Sequence, residues 1–317
     1  MASTRRRGIG LLIGTGVIWG TIGIAAKLLY EETTLDAAAV TWLRTVIAAP
    51  ACFGLAWAVL RRKVLATTRA DFALMAGLGI VLIVYQYTYL ASVARIGVAI
   101  ATLVSLCVPP VLIAAFSALF QVERLSGRAL VALVGAVIGT VMLVGWGATG
   151  NEGRTLLIGV ALALASATMI AAHFLCTRSL AARQPPLRPL AIAFCVGAVA
   201  FAPVGLKADI TLDIPTQGWL VLLYLALVPS VLAYWLFQSA LKDVTASTAS
   251  VVTLTEPLVA SVLAWVLFSE RLGPIGWIGA ALLMGAIALL STDPVTTDHP
   301  DGSTSLVPTA DLGGGLD

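Results

Sequence analysis

Apolar positions along this chain come in continuous runs rather than alternating with polar ones, and short clusters of Arg, Lys, Glu, Pro or Gly separate the runs. A helix needs roughly 20 mostly apolar residues to cross a hydrocarbon core about 30 Å thick. Ten runs meet that length, at residues 8–30, 36–60, 71–93, 97–120, 127–146, 155–177, 188–206, 216–240, 246–268 and 273–292. Without alternation between lipid-facing and lumen-facing residues, helices are predicted over barrel strands.

The runs form two sets of five. Tyr87 and Tyr234, Pro110 and Pro257, Glu123 and Glu270, Arg124 and Arg271, and Leu125 and Leu272 are each 147 residues apart. Leu11-Leu12-Ile13-Gly14 recurs as Leu156-Leu157-Ile158-Gly159, at nearly the same offset. Five is odd, so the second copy enters the bilayer from the opposite side, as in the inverted repeats of secondary transporters. The expected fold is an all-α membrane protein with ten transmembrane helices arranged as two inverted five-helix repeats. Residues 1–7 would be a cytoplasmic N-terminus, 8–150 the first repeat, 151–292 the second, and 293–317 a disordered cytoplasmic tail.

Composition agrees, with 59% hydrophobic residues, 11% charged residues and a mean hydropathy of +0.99. Lys and Arg set the orientation. If the N-terminus is inside, thirteen fall in inner segments and four (Arg95, Arg154, Lys207, Arg271) in outer loops, so both termini are expected in the cytoplasm. The net charge of +3 then reads as an insertion signal, and no basic stripe in a soluble segment points to nucleic acid. Three N-terminal arginines before an apolar run resemble a cleavable leader, but the run is required as the first helix of repeat one. The sole asparagine, Asn151, lies outside a glycosylation sequon, and the abundance of Ala and Gly fits a bacterial inner membrane.

Ionisable groups inside a bilayer are costly and mark function. Glu256 lies roughly ten residues into the ninth run, near mid-depth. Its reading is a proton site or a contact for a cationic substrate group, against a structural carboxylate on a broken helix. Pro257 follows it and removes the helical donor for the Thr253 carbonyl, and Pro110 does the same in the fourth run. Paired prolines at mid-depth suggest discontinuous helices that expose backbone to a cavity. Glu256 corresponds to Pro109 in the first copy, so carboxylate chemistry belongs to one repeat.

Tyr85 and Tyr89 are four residues apart, as are Tyr234 and Gln238, so each pair shares a helix face that would line a polar pocket or join an interfacial aromatic belt. Arg44, in the second run, has two readings, a structural ion pair or a hold on a substrate carboxylate. Lys27 reads as a side chain reaching the nearby surface, and His173 as a satisfied polar residue near the inner end of the sixth run. The four-residue spacings Gly10/Gly14, Gly16/Gly20 and Gly135/Gly139 mark close helix approach. The four cysteines show no CxxC spacing and read as packing residues. Neither a metal nor a cofactor is expected, and without Walker A, HExxH or GxSxG motifs the chain is not expected to be an enzyme.

Taken together, these residues resemble EamA-type members of the drug/metabolite transporter superfamily over residues 8–292. The resemblance rests on Trp19-Gly20, Arg44, Pro110 with Glu123-Arg124-Leu125, and in the second copy Tyr234, Ala246, Ser250, Glu256-Pro257, Glu270-Arg271-Leu272, Trp277-Ile278-Gly279 and Gly285. It implies a central cavity built from spans three, four, eight and nine, with Tyr85, Gln86, Tyr89, Thr102, Ser105, Tyr234, Gln238, Thr253 and Glu256 as candidate lining residues. The function it implies is secondary transport of small organic metabolites, amino-acid-like or drug-like, with export the commoner direction and protons a candidate coupling partner. The competing class is a membrane receptor or scaffold that uses the same fold without transport.

Overall fold

The computed structural model describes residues 2–109, 112, 127–144, 150–181, 183–208, 210, 214–240, 255–270, 273–291, 296–298 and 304–306. The helices are α1 Ala2–Gly20, α2 Ile22–Glu32, α3 Ala37–Leu60, α4 Arg69–Ile96, α5 Val98–Cys107, α6 Gly127–Val144 and α7 Gly150–Ala181. They continue with α8 Leu187–Gly205, α9 Thr216–Leu227, α10 Ala233–Ala240, α11 Thr255–Phe268 and α12 Pro274–Ser291. Each of the ten expected spans contains one of these helices; α1 with α2, and α9 with α10, share a span. Six spans among the described residues are long and apolar enough to cross a membrane, the first being Arg6–Glu32. Every described element within the expected spans is helical, and the chain is a membrane protein with a duplicated architecture.

Local chemistry explains the breaks. Thr21 ends α1, and its hydroxyl donates to the Ile18 carbonyl at 2.6 Å. Asp36 caps α3 by accepting from the Ala39 N–H at 2.8 Å, and Thr68 caps α4 by accepting from the Asp71 N–H at 3.1 Å. Gly97 separates α4 from α5 with φ +79°, a left-handed conformation that glycine adopts without a steric penalty. Residues Val228–Leu232 form a π turn between α9 and α10. Pro229 lies inside it and has no N–H to donate. In the tail, Thr296–Asp298 pairs antiparallel with Thr304–Leu306, Thr297 facing Ser305, where the expectation was no ordered structure. Threonines in these two strands favour the extended backbone.

Packing is closest where small residues meet. The Ser92 hydroxyl donates to the Gly159 carbonyl at 2.8 Å and the Ser166 hydroxyl to the Tyr85 carbonyl at 3.2 Å, which joins α4 to α7. Of the three glycine pairs, Gly16 and Gly20 sit against α11, whereas Gly10, Gly14 and Gly135 have no described atom within 4 Å of the point where a β-carbon would stand. Large apolar side chains such as Val131, Val137, Trp265, Val266 and Trp277 are exposed, as expected of helices solvated by lipid tails.

A polar network holds one end of the bundle. The buried Asp71 carboxylate accepts from the Gln184 amide at 2.8 Å and pairs with Arg183 at 3.1 Å, while Arg188 donates to Gln184 and to the Lys63 carbonyl. Arg183 is mostly exposed, so its pair with Asp71 contributes little, and the buried hydrogen bond is the larger loss. Asp71→Ala is expected to lower unfolding stability by about 1–2 kcal/mol. Thermal melts of the purified protein check this, and an unchanged midpoint would show the network to be dispensable.

Candidate functional site

Two tyrosines from different repeats meet. Tyr85 on α4 and Tyr234 on α10 place their hydroxyls 2.5 Å apart. Trp19 packs edge-on to Tyr234, with centroids 5.1 Å apart, and its indole N–H donates to the Pro229 carbonyl at 3.0 Å. Phe194 and His173 complete the ring cluster, with centroids 6.1 and 6.4 Å from Tyr234. Tyr89, one turn beyond Tyr85, places its hydroxyl 2.8 Å from that of Thr102 on α5. It therefore faces the bundle interior rather than an interfacial belt.

Arg44 is 2% exposed. Its Nε donates to the Ser230 hydroxyl at 2.9 Å, and that hydroxyl donates to the Leu225 carbonyl at 2.9 Å. Among the described residues no carboxylate pairs with this guanidinium, so the ion-pair reading finds no partner there. Ser230 reaches Arg44 from the π turn, a type of irregularity that often marks functional sites. The sequence reading missed Ser230, although Pro229 inside an apolar run was a signal that could have found it.

Glu256 lies in the first turn of α11, half-buried, with its backbone against α1. Among the described residues its carboxylate has no hydrogen bond or ion pair. Arg44 and Glu256 are both near enough for their charges to act on Tyr85, Tyr89 and Tyr234. A cation, an anion and three aromatic hydroxyls in one region can bind a polar organic molecule, the rings supplying apolar contact.

Other candidates are placed differently. Gln86 is 2% exposed, and among the described residues neither amide atom has a partner. Ser105 is buried and its hydroxyl donates to the Ala163 carbonyl at 3.3 Å, which turns it towards α7. Pro257 sits in the first turn of the described part of its helix, and the Thr253 carbonyl that it would leave without a donor lies outside the described residues. Pro110, Thr253 and the side chain of Gln238 lie outside the described residues. His173 is eight residues from the end of α7, deeper than expected because that helix runs on to Ala181. Lys27, expected to reach the surface, is instead tied to Glu270 at 2.8 Å and lies 4.2 Å from the centre of the Phe268 ring.

The EamA-like transporter family matches residues 6–145 and again 157–292. The chain is 28% identical to the uncharacterized transporter YwfM of Bacillus subtilis over 210 residues, covering 66% of this chain and 70% of that protein. It is 24% identical to the uncharacterized inner membrane transporter YicL of Salmonella typhimurium over 302 residues, 92% of this chain and 97% of that protein. A solved crystal structure shares the fold with a TM-score of 0.62 at 20% identity, covering 90% of this chain and 97% of that one. With both halves matched by the same family in the span-rich regions just described, the chain belongs to the EamA-like transporter family and is a multi-pass membrane transporter, not an enzyme.

Proposed function

We propose that the chain is a secondary active transporter that exports small organic metabolites, amino-acid-like or drug-like, by alternating access, with proton coupling through Glu256. The observation that carries this reading is the bonded pair of Tyr85 from the first repeat and Tyr234 from the second, within reach of the charges of Arg44 and Glu256, which make no ion pair with each other. A site shared by two inverted repeats is exposed to each side in turn when one repeat rocks against the other. Glu256 suits coupling because its carboxylate has no fixed partner among the described residues and its backbone lies at the α1–α11 contact between the repeats. Neutralising a charge there changes the relative free energy of the two conformations, as a coupling ion must. The excess of Lys and Arg in alternate loops supports cytoplasmic termini, and the likeness to an inner membrane transporter supports that membrane.

Metabolites released by cells with and without the chain would identify a substrate, and proteoliposomes would then be tested under imposed pH gradients. The parent protein is expected to respond to the gradient, and Glu256→Gln to transport without that response. An identical gradient dependence in the variant would remove the proton role. Absence of any flux would favour a receptor or scaffold.

A further inference from the structure

The contact between α3 and α4 is antiparallel, and its register can be read from its apolar partners. Leu82 shares a cluster with Ala48 and Ala49, and Leu90 shares one with Ala39 and Val40. Gln86 is midway between Leu82 and Leu90 on the same face of α4, and Arg44 is midway between Val40 and Ala48 on α3. The two polar residues therefore stand at about one level of the bundle, each 2% exposed.

Both are left short of partners. Ser230 satisfies Arg44 Nε but brings no negative charge, and the forked end of the guanidinium makes no hydrogen bond among the described residues. Neither amide atom of Gln86 is bonded to a described residue. A buried charge without a counter-charge is strongly disfavoured, and a buried unpaired amide adds to that cost. A planar fork of N–H donors matches a carboxylate in a bidentate arrangement, and an amide N–H beside it supplies a further donor. One cation also matches a single negative charge better than the roughly two charges of a phosphate monoester at neutral pH.

We propose that Arg44 and Gln86 form a carboxylate-binding subsite, so that the molecule carried bears one carboxylate, held at Arg44. This rests on the reading of the tyrosine cluster as the transport site. Arg44 contributes the charge and Gln86 orients the group.

The test uses the full chain in lipid nanodiscs and acid–amide twins as probes: benzoate with benzamide, isovalerate with isovaleramide, and leucine with leucinamide. At least one acid is expected to raise the melting temperature while its amide twin does not. Its affinity is expected to fall on the order of tenfold or more in Arg44→Gln and less in Gln86→Leu. Arg44→Lys, which keeps the charge but loses the planar fork, should retain part of the binding. Amides that stabilise as well as acids, undiminished acid binding in Arg44→Gln, or no response to any acid would each overturn the proposal. The acid–amide comparison needs no variant, so it remains decisive if Arg44→Gln does not fold. Binding is read here at equilibrium without a gradient, so a loss of proton coupling in the transport assay leaves this result standing, and the two failures are distinguishable.

Discussion

Gly20→Val is expected to lower the melting temperature by several degrees and reduce the folded yield. A β-carbon at Gly20 would stand 2.8 Å from the Val259 β-carbon and 2.9 Å from the Glu256 carbonyl oxygen, and one at Gly16 would stand 3.0 Å from the Thr255 β-carbon. Such separations are too short for ordinary contacts, and the Glu256 carbonyl cannot swing aside as a flexible side chain would. Membrane helices associate through close packing rather than hydrophobic exclusion, so forcing α1 from α11 removes the interaction that holds them. Overpacking costs about 1–3 kcal/mol, more where backbone must move. Removing a helical glycine gains less than about 1 kcal/mol, so the clash decides the sign. Gly14→Val is the control, because no described atom lies within 4 Å of its β-carbon position. Thermal unfolding in nanodiscs compares the two; equal midpoints for both variants would refute the account.

Glu270→Ala is expected to cost about 2–3 kcal/mol, from an N-cap term of about 0.5–2 kcal/mol and a part-exposed ion pair of about 1 kcal/mol. Its carboxylate pairs with Lys27 at 2.8 Å and accepts from the Val98 and Ala99 N–H groups at 3.1 and 3.0 Å. One side chain from the second repeat thus caps α5 and neutralises α2, both in the first repeat. Negative charge at a helix N-terminus is also favoured by the helix dipole. Lys27→Met should cost only the ion-pair share, and Glu270→Gln should keep part of the cap. In a double-mutant cycle Glu270→Ala should cost less on the Lys27→Met background than alone. Strict additivity of the two changes would mean that Lys27 and Glu270 are not coupled despite their distance.

The repeat was legible before any coordinates, but it pairs residues equivalent by symmetry, not residues in contact. The repeat alignment matches Tyr87 with Tyr234, yet Tyr85 meets the Tyr234 hydroxyl while Tyr87 packs against Phe201, with centroids 5.4 Å apart. Glu270 was visible in the Glu-Arg-Leu motif as a marker of duplication, and nothing local to it indicates that it caps a helix more than 170 residues earlier. The three glycine spacings look equivalent in sequence, and of these Gly16 and Gly20 meet a described helix at short range. Arg44 was identified as costly, but whether a carboxylate opposes it depends on which helices surround α3.

Sequence alone determined the membrane class, the two five-run halves and the ionisable residues that a bilayer penalises, because length, hydropathy and charge act within a segment. Tertiary structure decided that Tyr85 bonds Tyr234, that Ser230 takes one donor of Arg44, and that Glu270 links the repeats. Helical spacing defines which residues share a face, but it carries no information about which distant helix that face will meet.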